Sequence, residues 1–600
     1  MNYLHSFHVP VMGIGYTIDS PLKLAHLGIT SVVSLVDDML MEKMREFHSF
    51  KAGLSFREIT AKTEDSRAKR ITAFLNFLDE RVRQKVDTLR NSLNGNIEES
   101  FKYFELLPDT SSLKRKYDFL RQQGSYKDLK DWMKENITPG EIDVNIMTKL
   151  DRVNYRNHEE LPVSYNDAHA AVRGFAVSNL ESSLVLSAGM NLSLYNYLGQ
   201  WSDFFPDHLG NIRKRVILKV SDFRSAMVQG KMLAKKGVWV SEYRIESGLN
   251  CGGHAFAAQG NLMGPVLEEF KNKRAMLVTD QFEILKQALD EKNMPCPEVP
   301  PLLKISAQGG IGTAGEHDFL RDYYKVDSVG WGSPFLLVPE AVSIDHDTIQ
   351  RLSEAREQDL YLSQISPLGV PFNNLRGNTK DEEKKRNIQD GSPGSRCLKH
   401  YCLLNTEFQD KPVCTASKSY QRAKLNSLDR SSFSSTPSYQ KRVDDITEKS
   451  CICVGLGTSA LLANDMDTSQ EGPGVSVCPG PNMAYFSRQV RLKEMVGHIY
   501  GKENIMMRND RPHMFIRELE LYVAHFQERI ASREGGPREQ KSLLTFGNAL
   551  QDGVIYYQKL FAENNRTLQR NDRDVFSRLE DLSSQIEGML EGLRVEVPVT

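Results

Sequence analysis

Two stretches of the chain alternate compact apolar runs with amphipathic ones. In the first, Arg215-Val216-Ile217-Leu218-Lys219-Val220 leads into an amphipathic segment over residues 222–236 and then a second apolar run, Val238-Trp239-Val240. In the second, Leu303-Lys304-Ile305-Ser306-Ala307 leads into a segment over residues 316–324 and then Val326-Asp327-Ser328-Val329. Short β-branched runs separated by one helix length predict strand, helix, strand. The amino end reads the same way. Phe7-His8-Val9-Pro10-Val11-Met12-Gly13 predicts a buried strand, Ser20-Pro21 an N-cap with proline in the first turn of a helix to Leu27, and Ser31-Val32-Val33-Ser34-Leu35-Val36 a second strand. Repeated β-α units predict an α/β fold with a parallel sheet, here a (β/α)8 barrel.

The pattern changes between and after these units. Residues 39–151 predict long charged helices, including 66–93 and 109–123, with Ile71, Phe74, Leu75 and Leu78 at helical spacing. Strand character returns at Gly174-Phe175-Ala176-Val177, and Leu184-Val185-Leu186-Ser187 fits another barrel strand or a helix start. Arg274-Ala275-Met276-Leu277-Val278-Thr279 fits a strand or part of a helix. Residues 366–376 form a loop rich in turn formers, which can close over a site or simply connect elements, and 377–395 are charged and lie outside a core. Amphipathic helices return near the carboxyl end, as at 514–533 and 575–593. The expected organisation is a barrel from residues 1–45 and 165–375, a helical insertion at 46–164, a cysteine-containing loop-rich segment at 376–490 and a helical region at 491–600, where helix-to-helix contact in a homodimer is one use.

Chemistry concentrates where predicted strands end in glycine. Ser247-Gly248-Leu249-Asn250-Cys251-Gly252-Gly253-His254 follows the first unit, and Gly309-Gly310 and Gly332-Ser333 follow the strands of the second. Glycine lets backbone approach a flat or anionic ligand, and paired glycine-ended strands late in a barrel offer N–H groups to a phosphate. Gly13-Ile14-Gly15, after Met12, is a further flexible turn able to lie against a cofactor ring. His254 is the candidate proton carrier, because an unperturbed imidazole titrates near pH ~6.5.

These residues resemble the nitronate monooxygenases and the related FMN-dependent enoyl-acyl-carrier-protein reductases. Their Gly-x-Glu-Ala-Gly-Gly-His looks like Gly248 to His254, with Asn250 and Cys251 in place of Glu and Ala. Their Ala-Gly-Gly-Ile resembles Ala307 to Ile311 with Gln308 inserted, and their Gly-Thr-Arg-Phe resembles Gly332-Ser333-Pro334-Phe335. The likeness spans residues 8–45 and 170–345. It implies a TIM barrel holding FMN, with Met12, Gly13, Gly252, Gly253, Gly309, Gly310, Gly332 and Ser333 around the cofactor and His254 at the substrate. Pro334 replaces the family's arginine, and the glutamine usual before the histidine loop has no clear counterpart, which affects the substrate more than the fold.

Five of the eight cysteines fall between 397 and 453: Cys397, Cys402, Cys414, Cys451 and Cys453. Thiolates gathered in one loop-rich segment can ligate an iron–sulfur cluster or zinc, or serve as ordinary small buried residues. A cluster would give an electron-relay flavoenzyme, by loose analogy with glutamate synthase. Composition sets the remaining bounds. A chain of 600 residues is too long for one ordinary domain, and its formal charge of −2 argues against nucleic-acid or membrane-surface binding. The amino terminus lacks a secretory pattern and no run nears a membrane span, which predicts a cytoplasmic protein.

Three functions follow as expectations. The first is an FMN-dependent oxidoreductase of the nitronate monooxygenase type, with a small-molecule substrate, an electron donor or acceptor that can be a protein, and His254 as acid–base residue. The second is an enoyl-thioester reductase using NAD(P)H, and the third a non-catalytic barrel serving as a scaffold.

Overall fold

The computed structural model describes residues 4–92, 97–187, 189–257, 259–533, 535–564 and 574–595. Its main sheet has eight parallel strands: β1 (Phe7–His8), β2 (Ser31–Ser34), β3 (Ile142–Ile146), β4 (Ser183–Leu186), β5 (Arg215–Val220), β6 (Val240–Glu246), β7 (Lys304–Gln308) and β8 (Ser328–Gly330). Each strand pairs with the next in sequence from β2 to β8, and β8 pairs with β1. Val9, just after β1, pairs in parallel with Ser31 of β2, so the sheet closes on itself. The fold is a TIM barrel with additional helical regions.

Period-2 alternation decides what fills the barrel. In β6, Tyr243 and Ile245 point outward beneath the helices, while Glu242, Arg244 and Glu246 point in. Arg244 donates to Glu242 at 2.9 Å, the Ser306 hydroxyl donates to the same carboxylate at 2.5 Å, and His8 and Ser328 pair at 2.9 Å. Barrel interiors are usually packed with branched apolar side chains, and here Val32, Val185 and Ile217 form only a small apolar patch. Burial, and then the charge of Glu141, push the Asp143 carboxyl up to about 7 despite Arg244 nearby. Charges so buried are tolerable only when paired and hydrogen-bonded.

The helical insertion after β2 holds the expected long helix, Ser66–Ser92, together with Glu98–Glu105, Ser112–Gln123 and Tyr126–Asn136. Leu93, the expected end of the long helix, lies outside the described residues. The insertion has its own small core, including Leu89, Phe104, Tyr117 and Met133. Two expectations need correction. Residues 46–164 are not all insertion, because Ile142–Ile146 is the third barrel strand. Gly174-Phe175-Ala176 is the end of the helix Asp167–Ala176, pressed so close to the long helix that a Cβ on Gly174 would meet Ala68 O at 2.8 Å. Arg274 to Thr279 lie within the helix Met263–Glu291.

Beyond the barrel, Leu360–Ser363 and Phe372–Leu375 form an antiparallel hairpin. The stretch expected to be loop-rich contains four helices, Thr379–Gln389, Lys418–Asn426, Thr436–Thr447 and Ile452–Leu462. The last is apolar all round because it is covered all round: every residue from Ile452 to Leu461 is buried. Met514–Ala531, Pro537–Glu563 and Val575–Val595 then pack as three helices, with Gly547 held against Phe526 and Leu590. Among the described residues no helix is long and apolar enough to cross a membrane.

Candidate active site

The carboxyl ends of the strands open into one cavity. Its floor is the top inward layer of the barrel, two residues above the polar interior: Ser34, Asn145, Ser187, Lys219, Glu246 and Gln308. Lys219 pairs with Glu246 at 2.7 Å, and the Gln308 side-chain amide donates to the same carboxylate at 2.6 Å. The side-chain oxygens of Asn145 and Asn250 are buried without a hydrogen-bond partner. A buried carbonyl oxygen left so is costly, and a bound ligand with N–H or O–H groups would satisfy it.

The rim is built from the glycine turns. Gly13, Gly253, Gly309 and Gly310 all have positive φ, at 55°, 77°, 122° and 77°. The need for glycine is strictest at Gly310, where a Cβ would lie 2.0 Å from the Asn250 side-chain nitrogen. Among the described residues the backbone amides of Gly309, Gly310, Gly332 and Ser333 make no hydrogen bond to the chain, whereas those of Gly312 and Thr313 are taken by Glu316 of the following helix at 2.9 and 3.2 Å. Anion-binding capacity is therefore left to the glycines. All eight residues expected around the cofactor line this cavity, as do His254, Cys402 and Cys453.

His254 is half-buried on the cavity wall. Its Nε2 pairs with the Ser366 hydroxyl at 2.7 Å, and its ring meets Phe372 edge-on at 4.9 Å. Residues 366–376 thus lie over the histidine loop: Asn373 N donates to Gly253 O at 2.9 Å and its side-chain amide to Cys251 O at 2.7 Å. Desolvation, with the Lys149 charge adding to it, pushes the His254 imidazole down to about 4. That corrects the expectation of two protonation states near neutrality, since the ring rests neutral.

Much of the roof was not anticipated. Residues 475–485 cross the glycine turns: Cys478 O accepts from Gly253 N at 3.1 Å, Gly480 N donates to the Ser333 hydroxyl at 2.7 Å and the Asn482 amide donates to Ile311 O at 2.7 Å. The helix Ile452–Leu462 seals another side, where Leu456 O accepts from Gly15 N at 2.9 Å. Arg511 enters from beyond the barrel. Its guanidinium donates to Gly310 O, to Asn482 Oδ1 at 2.7 Å and to Glu316 at 2.8 Å. Lys219 and Glu246 lay within strands whose inward alternation could have flagged them. Asn482 and Arg511 carry no local signal.

The five clustered cysteines are free thiols, two of which touch. Cys402 and Cys453 have their sulfurs 3.4 Å apart, Cys414 and Cys451 are buried, and Cys397 is partly exposed. Among the described residues no group of three or more His, Cys, Asp or Glu side chains is disposed to hold a metal ion. The arrangement of these thiols does not fit the four-ligand set of an iron–sulfur cluster.

No family model and no curated protein matches the chain. Among solved structures it is similar to the enoyl reductase domain of MlnA from the macrolactin biosynthesis cluster of Bacillus amyloliquefaciens, at 13% identity over 69% of this chain and 88% of that one, with a TM-score of 0.31. It is also similar to nitroalkane oxidase from Streptomyces ansochromogenes, at 10% identity over 64% of this chain and 85% of that one, with a TM-score of 0.29. Likeness at this level assigns no role to any residue.

Gly332 offers the cleanest probe of the anion site. A Cβ there would meet nothing closer than Pro10 Cγ at 3.4 Å, although the backbone, at φ −99° and ψ −94°, lies outside the usual helical and extended regions. Gly332→Ala is expected to stay folded, at a cost of about 1 kcal/mol for its backbone conformation, and, if these amides hold the phosphate of an FMN as proposed below, to weaken FMN binding by at least about tenfold, or ~1.4 kcal/mol. Fluorescence titration with FMN and with phosphate-free riboflavin measures this, and equal losses for both ligands would argue against a phosphate at this turn.

Proposed function

We propose that the chain is an FMN-dependent oxidoreductase of the nitronate monooxygenase type. The observation that carries this reading is the convergence, in one cavity at the carboxyl end of a parallel barrel, of unpaired glycine amides, a polar floor with unpartnered carbonyl oxygens, and a neutral histidine. The amides of Gly309, Gly310, Gly332 and Ser333 would hold the phosphate without side chains in the way. Lys219, Gln308 and Asn145 would present donors and acceptors to the polar edge of the ring, and Met12 and Gly13 would lie along it. FMN, when bound, would accept one or two electrons from the substrate and pass them on to oxygen or another acceptor.

His254 is assigned to the substrate side. Ser366 fixes its Nε2, so Nδ1 is the atom left to accept or return a proton. A resting neutral imidazole suits proton acceptance from a carbon acid or nitroalkane-like substrate, and the loop over it limits water. The test is a pair of steady-state assays, one with an alkyl nitronate and oxygen, the other with an enoyl thioester and NAD(P)H. Turnover of the nitronate supports the proposal; turnover of the thioester alone would replace it with the reductase reading.

A further inference from the structure

The carboxyl-terminal helices reach the cavity through one buried carboxylate. Glu518, on the helix Met514–Ala531, is only 1% exposed, and its three hydrogen-bond partners are all uncharged. Its Oε2 accepts from Met263 N at 2.9 Å and from the Tyr557 hydroxyl at 3.2 Å. The first of these bonds caps the helix Met263–Glu291, whose own N-cap residue, Leu262, has no side chain able to do so. Capping accounts for one oxygen only. The other, Oε1, accepts from the Ser247 hydroxyl at 2.5 Å, and Ser247 opens the histidine loop. Burial pushes the carboxyl up to about 7, so a charge held here is costly.

Ser247 lies against both glycine turns. Its N–H donates to Gln308 O at 3.2 Å, and a Cβ on Gly309 would lie 2.8 Å from the Ser247 Cβ. Its hydroxyl oxygen also accepts from Asn250 N at 3.1 Å, while the Asn250 side-chain amide donates to Met514 O at 3.2 Å. Gly248 is packed as closely, since a Cβ there would meet the Tyr522 hydroxyl at 2.5 Å. One helix thus grips the loop through Met514, Glu518 and Tyr522. We propose that Glu518 is a positioning residue for the cavity: acting through Ser247, its carboxylate fixes the loop that carries Asn250 and His254 and the turn that carries Gly309. That the turn holds an FMN phosphate rests on the flavin reading. The fixing of the loop does not.

The two carboxylate oxygens allow positioning to be separated from plain stabilisation. Glu518→Gln keeps the shape but replaces one acceptor by an NH2 group. Placed at Oε1, that group faces Ser247 and forces its hydroxyl to turn away; placed at Oε2, it faces two donors, Met263 N–H and the Tyr557 hydroxyl. Ser247→Ala cuts the link on the loop side, and Tyr557→Phe removes a bond on the other oxygen. A carboxylate that merely holds helices together would respond alike to both. One that positions the loop responds on the Ser247 side alone.

The three variants of the full chain are compared with the parent by amide hydrogen exchange in the flavin-free state. The amides followed are those of Gly253, Ala255 and Phe256, whose acceptors, Cys478 O, Pro371 O and Gly248 O, the substitutions leave in place. Ser247→Ala and Glu518→Gln are expected to exchange at least about tenfold faster at these amides, and Tyr557→Phe at the parental rate even where its melting temperature falls. Fluorescence titration supplies the second reading: FMN affinity is expected to fall at least about tenfold in the first two variants while riboflavin affinity stays within about threefold, because only the phosphate meets the Gly309 turn. Folded Ser247→Ala with parental exchange at these amides overturns the positioning role, as does Tyr557→Phe that loosens the loop equally. Ser247→Ala decides alone where Glu518→Gln fails to fold. FMN binding with an unmoved loop sinks this proposal alone, whereas a loosened loop in a chain whose parent binds neither FMN nor riboflavin sinks only the flavin reading.

Discussion

Replacing Arg511 by methionine is expected to cost about 3–5 kcal/mol of stability and to abolish FMN retention. Arg511 is only 6% exposed in its side chain and its partner Glu316 only 4%, so their pairing lies away from solvent. Burial alone would raise the Glu316 carboxyl, but the charge of Arg511 and the hydrogen bonds from Arg511 and Gly312 outweigh it and lower the group below its ordinary value. Without the guanidinium that charge is stranded. Gly310 O, in a turn assigned to the phosphate, and the Asn482 oxygen, on the segment that crosses that turn, also lose a donor. Urea unfolding of the variant, of Glu316→Gln and of the double variant gives the coupling directly. A coupling below about 1 kcal/mol would show that the pair behaves like a surface ion pair.

His254→Asn is expected to keep FMN and lose ~10²–10⁴-fold in turnover, the usual contribution of a positioned proton acceptor. The pH dependence sharpens the test. With the imidazole pushed down to about 4, the neutral form is present above that value, so a rate that needs it is flat through neutrality and falls only as pH drops toward 4. In the variant that acid limb disappears. Turnover within a few-fold of the parent would reduce His254 to a loop residue held by Ser366.

The sequence made the later barrel strands legible because their outward faces are apolar and their ends are glycine: β5, β7, β8 and the turns at Gly252, Gly309 and Gly332 follow from local pattern, whereas β6 runs Val240–Glu246, beyond the Val238–Val240 run expected to form it, because its inward positions carry Glu242, Arg244 and Glu246. It hid β3 for a physical reason. Ile-Asp-Val-Asn-Ile does alternate, but its inward residues, Asp143 and Asn145, are polar because this barrel has a polar interior, and the strand follows a long run of charged helices. The helix Ile452–Leu462 was invisible for the opposite reason, having no polar face to set a period. Gly174 to Val177 resembled a strand because a helix end packed tightly on another helix is also a short apolar run. Asn482 and Arg511 reach the glycine turns from more than a hundred residues away, which only tertiary packing brings about. Cysteine spacing placed the thiols in one region but could not show that Cys402 and Cys453 meet.

The gain from the structure is therefore mainly in the roof. His254 was read as a freely titrating base, and its neutral resting state follows from the hairpin that buries it. At Gly310 the close approach of Asn250 makes any side chain disruptive to the loop itself, which is why Gly332 is the better probe.

The most direct test of the central claim is the visible absorption spectrum of the purified full chain, followed by mass analysis of whatever heat or acid releases. The account predicts the two-band spectrum of an oxidised flavin and release of FMN at close to one per chain, restored by adding FMN to the stripped protein. A colourless protein that binds neither FMN nor riboflavin when titrated would contradict it.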